Sequence, residues 1–217
     1  MQTTEVNLLL FIVGLAGTEN IQAKKDITVL GNVDLPSKYE NFGAVATKGG
    51  SNSATGGTID VRSLEGKIIA SDRAFDNANR YDTNATINLL SKDNIDLSAT
   101  GRSNSVPKGG DPLAMPVVST QAGKNGKGGI NTLRSYSNGI TIGPNAQVLA
   151  NWSPNPGSNG TNLLTSCTGM TNNGTVNPAD LVPGDDSGVC NPGPPSKFTD
   201  CPTDFGITTG CTCTSVP

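Results

Sequence analysis

Asp72, Asp76 and Asp82 fall within eleven residues of Arg73, Arg80 and Tyr81, in the stretch Asp72-Arg-Ala-Phe-Asp76-Asn-Ala-Asn-Arg80-Tyr-Asp82. Nowhere else in the chain are residue types that could perform a reaction so concentrated. Two carboxylates can divide acid and base work on a glycosidic bond or offer oxygen ligands to Ca²⁺, and an arginine can hold an acidic sugar. A solvated loop carrying its own ion pairs needs the same residues, and no lyase or hydrolase signature surrounds them. The preferred reading is therefore the loop, with Asp72, Arg73, Asp76, Arg80, Tyr81 and Asp82 as candidate binding residues and no catalytic residue assigned.

Histidine is absent, which removes Ser-His-Asp and Cys-His nucleophilic arrangements together with the commonest neutral metal ligand. Asp185-Asp186 lacks the alternating ligands and terminal Glu of a calcium loop and reads as a turn. No metal site and no cofactor are expected. The formal charge is −3, and the cations nearest to a patch are Lys124 and Lys127 in a Gly/Asn stretch. Neutralising a run of phosphates takes a denser stripe, so nucleic acid is excluded as a partner.

The five cysteines, Cys167, Cys190, Cys201, Cys211 and Cys213, all lie in the last 51 residues, where prolines also concentrate. No two of them form a CxxC pair, so disulfides in an oxidising compartment account for them better than zinc does. An odd number leaves one thiol over, and spacing does not fix the connectivity. At the other end, Leu8 to Gly17 (LLLFIVGLAG) is too short to span a bilayer but has the length of a signal-peptide core. The residues before it carry Glu5 and no basic residue, so a buried strand or helix capping the fold is the alternative. The expected organisation is a signal-like or capping segment at 1–24, a central domain at 25–150 and a Cys/Pro-rich appendage at 151–217. The expected location is secreted or cell-surface, with no stable transmembrane span.

What could position any site is a repeat in the middle of the chain. Gly57 to Ser71, Ala85 to Ala99 and Gly129 to Gly143 align, each with a first strand (Ile59 and Val61; Ile87 and Leu89; Ile130), a polar turn and a second strand (Ile68; Ile95; Ile140 and Ile142). Lys25 to Pro36 supplies a shorter copy through Ile27 and Val29, with Gly31-Asn32 as its turn. The excess between copies falls in Gly/Ser/Asn-rich stretches at 36–56, 72–84 and 100–128. One two-strand unit cannot bury its apolar face alone, whereas stacked units make a continuous Ile/Val/Leu column and pair their backbones from rung to rung. The fold class is all-β, a β-solenoid, with an antiparallel β-sandwich as the alternative. Trp152, the sole tryptophan, is expected to cover an open end of the column.

Gly128-Gly-Ile130 followed by Ser137-Asn-Gly-Ile140-Thr-Ile-Gly-Pro-Asn-Ala-Gln-Val-Leu-Ala150, with Gly56-Gly-Thr-Ile-Asp-Val61, resembles the repeats of filamentous-haemagglutinin and autotransporter-like surface proteins. The resemblance covers roughly residues 25–150 and implies a right-handed parallel β-helix. It carries over no functional residue, because that motif is structural. The expected function is a non-enzymatic secreted or cell-surface protein that displays loops 36–56, 72–84 and 100–128 for adhesion, with glycans or other surface proteins as partners. A polysaccharide lyase or hydrolase on the same scaffold and a self-associating extracellular filament subunit are the two alternatives.

Overall fold

The computed structural model describes residues 10–13, 17–31, 43–48, 56–77, 85–99, 116–122, 127–151 and 159–179. The chain climbs in turns of three short strands. The first turn is β1 (Leu10–Val13), β2 (Thr18–Ala23) and β3 (Ile27–Leu30), and the second is β4 (Val45–Lys48), β5 (Thr58–Ser63) and β6 (Ile68–Ser71). Next come β7 (Phe75–Asp76), β8 (Thr86–Ser91) and β9 (Ile95–Ser98), then β10 (Val118–Ser119), β11 (Ile130–Ser135) and β12 (Ile140–Ile142). A fifth turn holds β13 (Gln147–Leu149), β14 (Thr161–Ser166) and β15 (Met170–Asn172), and β16 (Thr175–Asn177) opens a sixth.

Every third strand pairs in parallel. Sheet A runs β1-β4-β7-β10-β13-β16, sheet B runs β2-β5-β8-β11-β14, and sheet C runs β3-β6-β9-β12-β15. This is a three-sided parallel β-helix. Parallel pairing in all three sheets rules out the antiparallel sandwich.

Stacking in register lays like side chains on like. In sheet B, Ile21, Val61, Leu89, Leu133 and Leu164 form one inward column. In sheet C, Ile27, Ile68, Ile95, Ile140 and Met170 form another, and Val45, Phe75, Val118, Val148 and Val176 line sheet A. Ile59, Val61, Ile68, Ile87, Leu89, Ile95, Ile140 and Ile142 are fully buried, Ile27 is buried and Val29 packs half-buried against them. β-Branched and leucine side chains suit this surface because strand residues alternate inward and outward with a period of two.

Three expectations are corrected. Ile130 is not a core residue: it is 42 % exposed, and Asn131 stands over Ile87 in its place. Aligning Ile130 with Ile59 and Ile87 slips the register by one residue, which turns every side chain to the opposite face. The copy at 25–36 is out of phase as well, since Ile27 pairs with Ile68 and the first strand of that turn is β2. Both expected boundaries lie inside the stack, which runs from β1 within the apolar N-terminal stretch to β16, beyond residue 150. Most of the segment 151–217 lies outside the described residues, Trp152 included.

The corners differ in kind. Between sheets B and C the chain always turns in three or four residues, at 24–26, 64–67, 92–94, 136–139 and 167–169. A serine ends the sheet B strand at four of these corners, and at three of them its hydroxyl donates to a turn carbonyl of the rung below: Ser63 to Lys25 at 2.8 Å, Ser91 to Gly66 at 2.8 Å and Ser135 to Asp93 at 2.8 Å; Ser166 Oγ, at the fourth, makes no such bond. Where sheet A hands over to sheet B, a glycine recurs at Gly57, Gly129 and Gly160. A Cβ on Gly129 would strike the Ala85 carbonyl, and one on Gly160 the Gly129 carbonyl, so the backbones stack too closely for any side chain.

Register and burial make opposite predictions for two residues both expected in the core. Truncating Leu89→Ala should cost about 2–5 kcal/mol of unfolding free energy, the range for emptying a packed aliphatic site. Ile130→Thr should stay within about 0.5 kcal/mol, as for an outward position. Urea midpoints of the two variants measure both.

Candidate functional site

The long connections all border sheet A. They occupy 31–44 and 99–117 on its sheet C side, and 49–57, 77–85, 120–129 and 150–160 on its sheet B side. Residues free of the stack's spacing therefore gather along the two edges of one sheet. The three stretches expected as display loops are interrupted there. Each contributes a strand to sheet A: β4 inside 36–56, β7 inside 72–84 and β10 inside 100–128, with Val45, Phe75 and Val118 buried. A two-residue strand in a Gly/Ser-rich stretch leaves no periodicity to detect, which is why sequence reasoning missed the third side of the helix.

The Asp/Arg cluster divides at this point. Asp72, Arg73 and Asp76 sit on the short corner from β6 to β7 and on β7 itself, while Arg80, Tyr81 and Asp82 lie outside the described residues. Asp72 is 4 % exposed and adopts φ 41°, the left-handed conformation that short polar residues tolerate best. Its amide donates to the Ser98 carbonyl at 3.1 Å. Gly31 of the turn below lies against the Asp72 backbone so closely that a Cβ there would collide with it. Arg73 is half-buried, and its carbonyl accepts from the Ala44 amide at 2.9 Å. Asp76 points away from the core by alternation with Phe75, yet it is only 5 % exposed, and a Cβ on Gly43 would collide with its own. The solvated-loop reading thus fails for residues 72–77, which are a buried corner and strand of the stack.

Polar groups also enter the interior at the sheet A to sheet B corner. Asn77 Nδ2 donates to the Gly57 carbonyl at 2.7 Å. Asn131 Nδ2 donates to the Leu149 carbonyl at 3.0 Å and to Asn162 Oδ1 at 2.8 Å, and Asn162 Nδ2 donates to the Pro178 carbonyl at 2.7 Å. All three asparagines are fully buried, and their Nδ2 groups find acceptors as a buried amide requires, while Asn77 Oδ1 and Asn131 Oδ1 accept no hydrogen bond. The pattern Ile-x-Val in β5 and Ile-x-Leu in β8 becoming Asn-x-Leu in β11 and β14 was the available signal for this ladder.

Among the described residues, charged side chains cluster on the outer face of sheet B and at its corner with sheet C, with Asp96 on β9 and Lys127 before β11 outside that group. Arg62 grips Asp60 in two contacts, Nε to Oδ1 at 3.0 Å and Nη2 to Oδ2 at 2.7 Å, two residues apart along one strand. Glu65 receives Lys25 at 3.0 Å and Lys24 at 3.5 Å from the turn beneath. Among the described residues no group of three His, Cys, Asp or Glu side chains is placed to hold a metal ion, and no helix is long and apolar enough to cross a membrane. Cys167, the only cysteine among them, is buried just after β14 and is not a free thiol. Comparisons with protein-family models, with curated proteins and with solved structures give no match to this chain.

The hydrogen-bonded ammonium of Lys25 holds the Glu65 carboxyl below its ordinary value; desolvation opposes this, and the charge of Lys24 adds to it. A carboxylate lowered on folding contributes stability above its unfolded pKa and loses that contribution as pH falls through the folded one. Wild type should therefore exceed Glu65→Gln in melting temperature at neutral pH. The difference should close on acidification below the carboxylate range, and also in roughly 1 M salt, where exposed pairs are screened. Thermal melts across pH and salt check this.

Proposed function

We propose that this chain is a non-enzymatic secreted or cell-surface protein whose β-helix is a rigid support for contacts with glycans or other surface proteins. The observation that carries the reading is the placement of the variable connections. Five sheet B to sheet C corners keep to three or four residues, whereas every long connection opens beside sheet A, so sequence is free to vary on one side of a fixed shaft. Asp72 and Asp76, which head the candidate reactive cluster, are buried in the corner that joins two rungs, a structural use that keeps them from a polymeric substrate. The Gly-Gly-x-Ile repeats resemble those of filamentous-haemagglutinin and autotransporter-like surface proteins, which supports the same assignment. A buried cysteine that is not a free thiol fits an oxidising compartment.

Self-association is a second reading that one observation favours. The first turn is open: Ile21, Ala23 and Val29 are only half-buried, Leu30 is 60 % exposed, and β2 ends its sheet. An uncovered parallel edge can accept another strand.

Folded protein applied to a glycan array and to a panel of acidic and neutral polysaccharides should bind without releasing new reducing or unsaturated ends. Replacing residues 121–128 between β10 and β11 with a short Gly-Ser turn should weaken that binding roughly tenfold or more, ~1.4 kcal/mol per decade. Lys92→Ala, on the fixed corner, should leave it unchanged. Product formation would overturn the reading in favour of a polysaccharide-acting enzyme, and concentration-dependent fibres without ligand binding would favour the filament.

A further inference from the structure

Polar atoms left unpaired inside the helix gather at one place. Five buried side-chain oxygens have no hydrogen-bond partner among the described residues: Thr47 Oγ1, Asn77 Oδ1, Thr120 Oγ1, Asn131 Oδ1 and Ser166 Oγ. The first four all lie where sheet A hands over to sheet B. Thr47, Asn77 and Thr120 follow Val45, Phe75 and Val118 by two residues, so alternation turns all three inward, one above another in successive turns. The backbone ladder holds that register, since the Asn77 amide donates to the Ser119 carbonyl at 2.7 Å and the Thr120 amide to the Leu149 carbonyl at 2.8 Å. The corner glycines bring the backbone against the same column. A Cβ on Gly57 would strike the Thr47 hydroxyl, and one on Gly129 would meet Thr120 Cβ.

The chemistry of each oxygen names the partner it needs. Asn77 and Asn131 donate Nδ2 to the Gly57 and Leu149 carbonyls, which fixes each amide with Oδ1 turned the other way. A carboxamide oxygen only accepts, so what meets it must donate. All four oxygens are neutral and Asp76 points outward from this corner, so a divalent cation would lie there without a carboxylate to balance it. Water suits the set, because one molecule offers two donors and two acceptors. Neighbouring turns are about 4.8 Å apart, a gap that one water closes with two hydrogen bonds of about 2.8 Å. The fifth turn supplies the contrast. There the inward column reads Ala150, and Asn162 needs nothing more: its Oδ1 accepts from Asn131 and its Nδ2 donates to the Pro178 carbonyl. Bare asparagine oxygens occur only in the turns whose column is polar.

We propose that the inner corner between sheets A and B is a binding site for ordered water: a short file running from Thr47 past Asn77 and Thr120 to Asn131, and ending below Ala150. Each water donates to a bare oxygen of the column and completes hydrogen bonding that the chain leaves open. The aliphatic columns of sheets B and C stay dry, and the wet edge runs beneath the connections whose lengths vary.

The test uses the full chain. Oxygen-17 magnetic relaxation dispersion detects waters that stay bound for longer than the protein takes to tumble, and wild type should show them. Thr120→Val keeps the shape of the side chain; it should lose about one such water and lower the urea midpoint, because the oxygens around it lose a donor. Thr120→Ser should keep both the water and the midpoint. Thr47→Val, two turns away, repeats the comparison. Dispersion unchanged in both valine variants would overturn the proposal, and so would a raised urea midpoint, the result of deleting an unpaired hydroxyl from a dry interior. A melting temperature that falls when sodium is exchanged for tetramethylammonium would overturn it in favour of a bound cation. None of these readouts involves a glycan or protein partner, so they stand apart from the proposed binding function.

Discussion

Parallel register is the constraint from which the rest follows. Each strand gives its amide and carbonyl groups to the rungs above and below, so a residue's place is set by the residue beneath it as much as by its own preferences. Leu89 is where it is because Val61 and Leu133 bracket it at one strand spacing. A column of this kind needs few large rings: the chain is only 4 % aromatic, and among the described residues Phe75 is the one phenylalanine in the core. Aliphatic contacts repeated at every rung do the work that a few aromatics do in a globular core, and each depends on its two neighbours being present.

The same constraint explains why one corner is regular and two are not. The turn from sheet B to sheet C is stitched to its neighbours by serine hydroxyls and by side chains that accept from the next turn's backbone: Asp26 Oδ1 takes the Lys67 amide at 3.0 Å and Asn94 Oδ1 takes the Gly139 amide at 3.1 Å. An inserted residue would leave those donors and carbonyls unmatched over several rungs, at about 1–3 kcal/mol for each buried group left unsatisfied. At the sheet A to sheet B border the repeated stitch comes from inside the helix, through Asn77, Asn131 and Asn162, and leaves the connection itself unpinned; insertions there are tolerated because lengthening an existing loop adds little closure entropy. Where the fold lets sequence vary is thus set by where its hydrogen bonds repeat.

How legible this was depended on how often a physical signal recurred. The Ile-x-Val and Ile-x-Leu strands of sheet B and the Ile strands of sheet C recur at positions their neighbours demand, and the solenoid followed from them. Sheet A contributes strands as short as Phe75–Asp76 and Val118–Ser119, and two residues carry no period. Ile130 misled for a physical reason: isoleucine is favoured on either face of a strand, and only the neighbouring Asn131, paired to Asn162, shows which face is inside. Asp72 and Asp76 misled in the opposite direction, since carboxylates are read as solvent-facing unless something shows their burial. That something is Gly31 and Gly43, roughly thirty to forty residues earlier in the chain yet one rung below, and a lone glycine in the sequence does not name what it touches.

The buried asparagines then have a definite role in the balance between stability and uniqueness. A stack of near-identical aliphatic rungs can slide: Ile, Val and Leu would pack almost as well two residues out of register, because alternation restores the same face. Asn131 and Asn162 would not. Moved by two residues in either strand, Asn131 loses Asn162 Oδ1 and the Leu149 carbonyl together, leaving amide hydrogens buried without acceptors, whereas a leucine in its place would lose nothing specific. Replacing both by aliphatic residues could match or exceed the native stability while loosening the register, as buried polar pairs do elsewhere when they fix an alignment. Their position matters for the same reason. They lie in β11 and β14, the last two strands of sheet B among the described residues, where β14 has only β11 beside it to hold the register, against a strand on either side in the middle rungs.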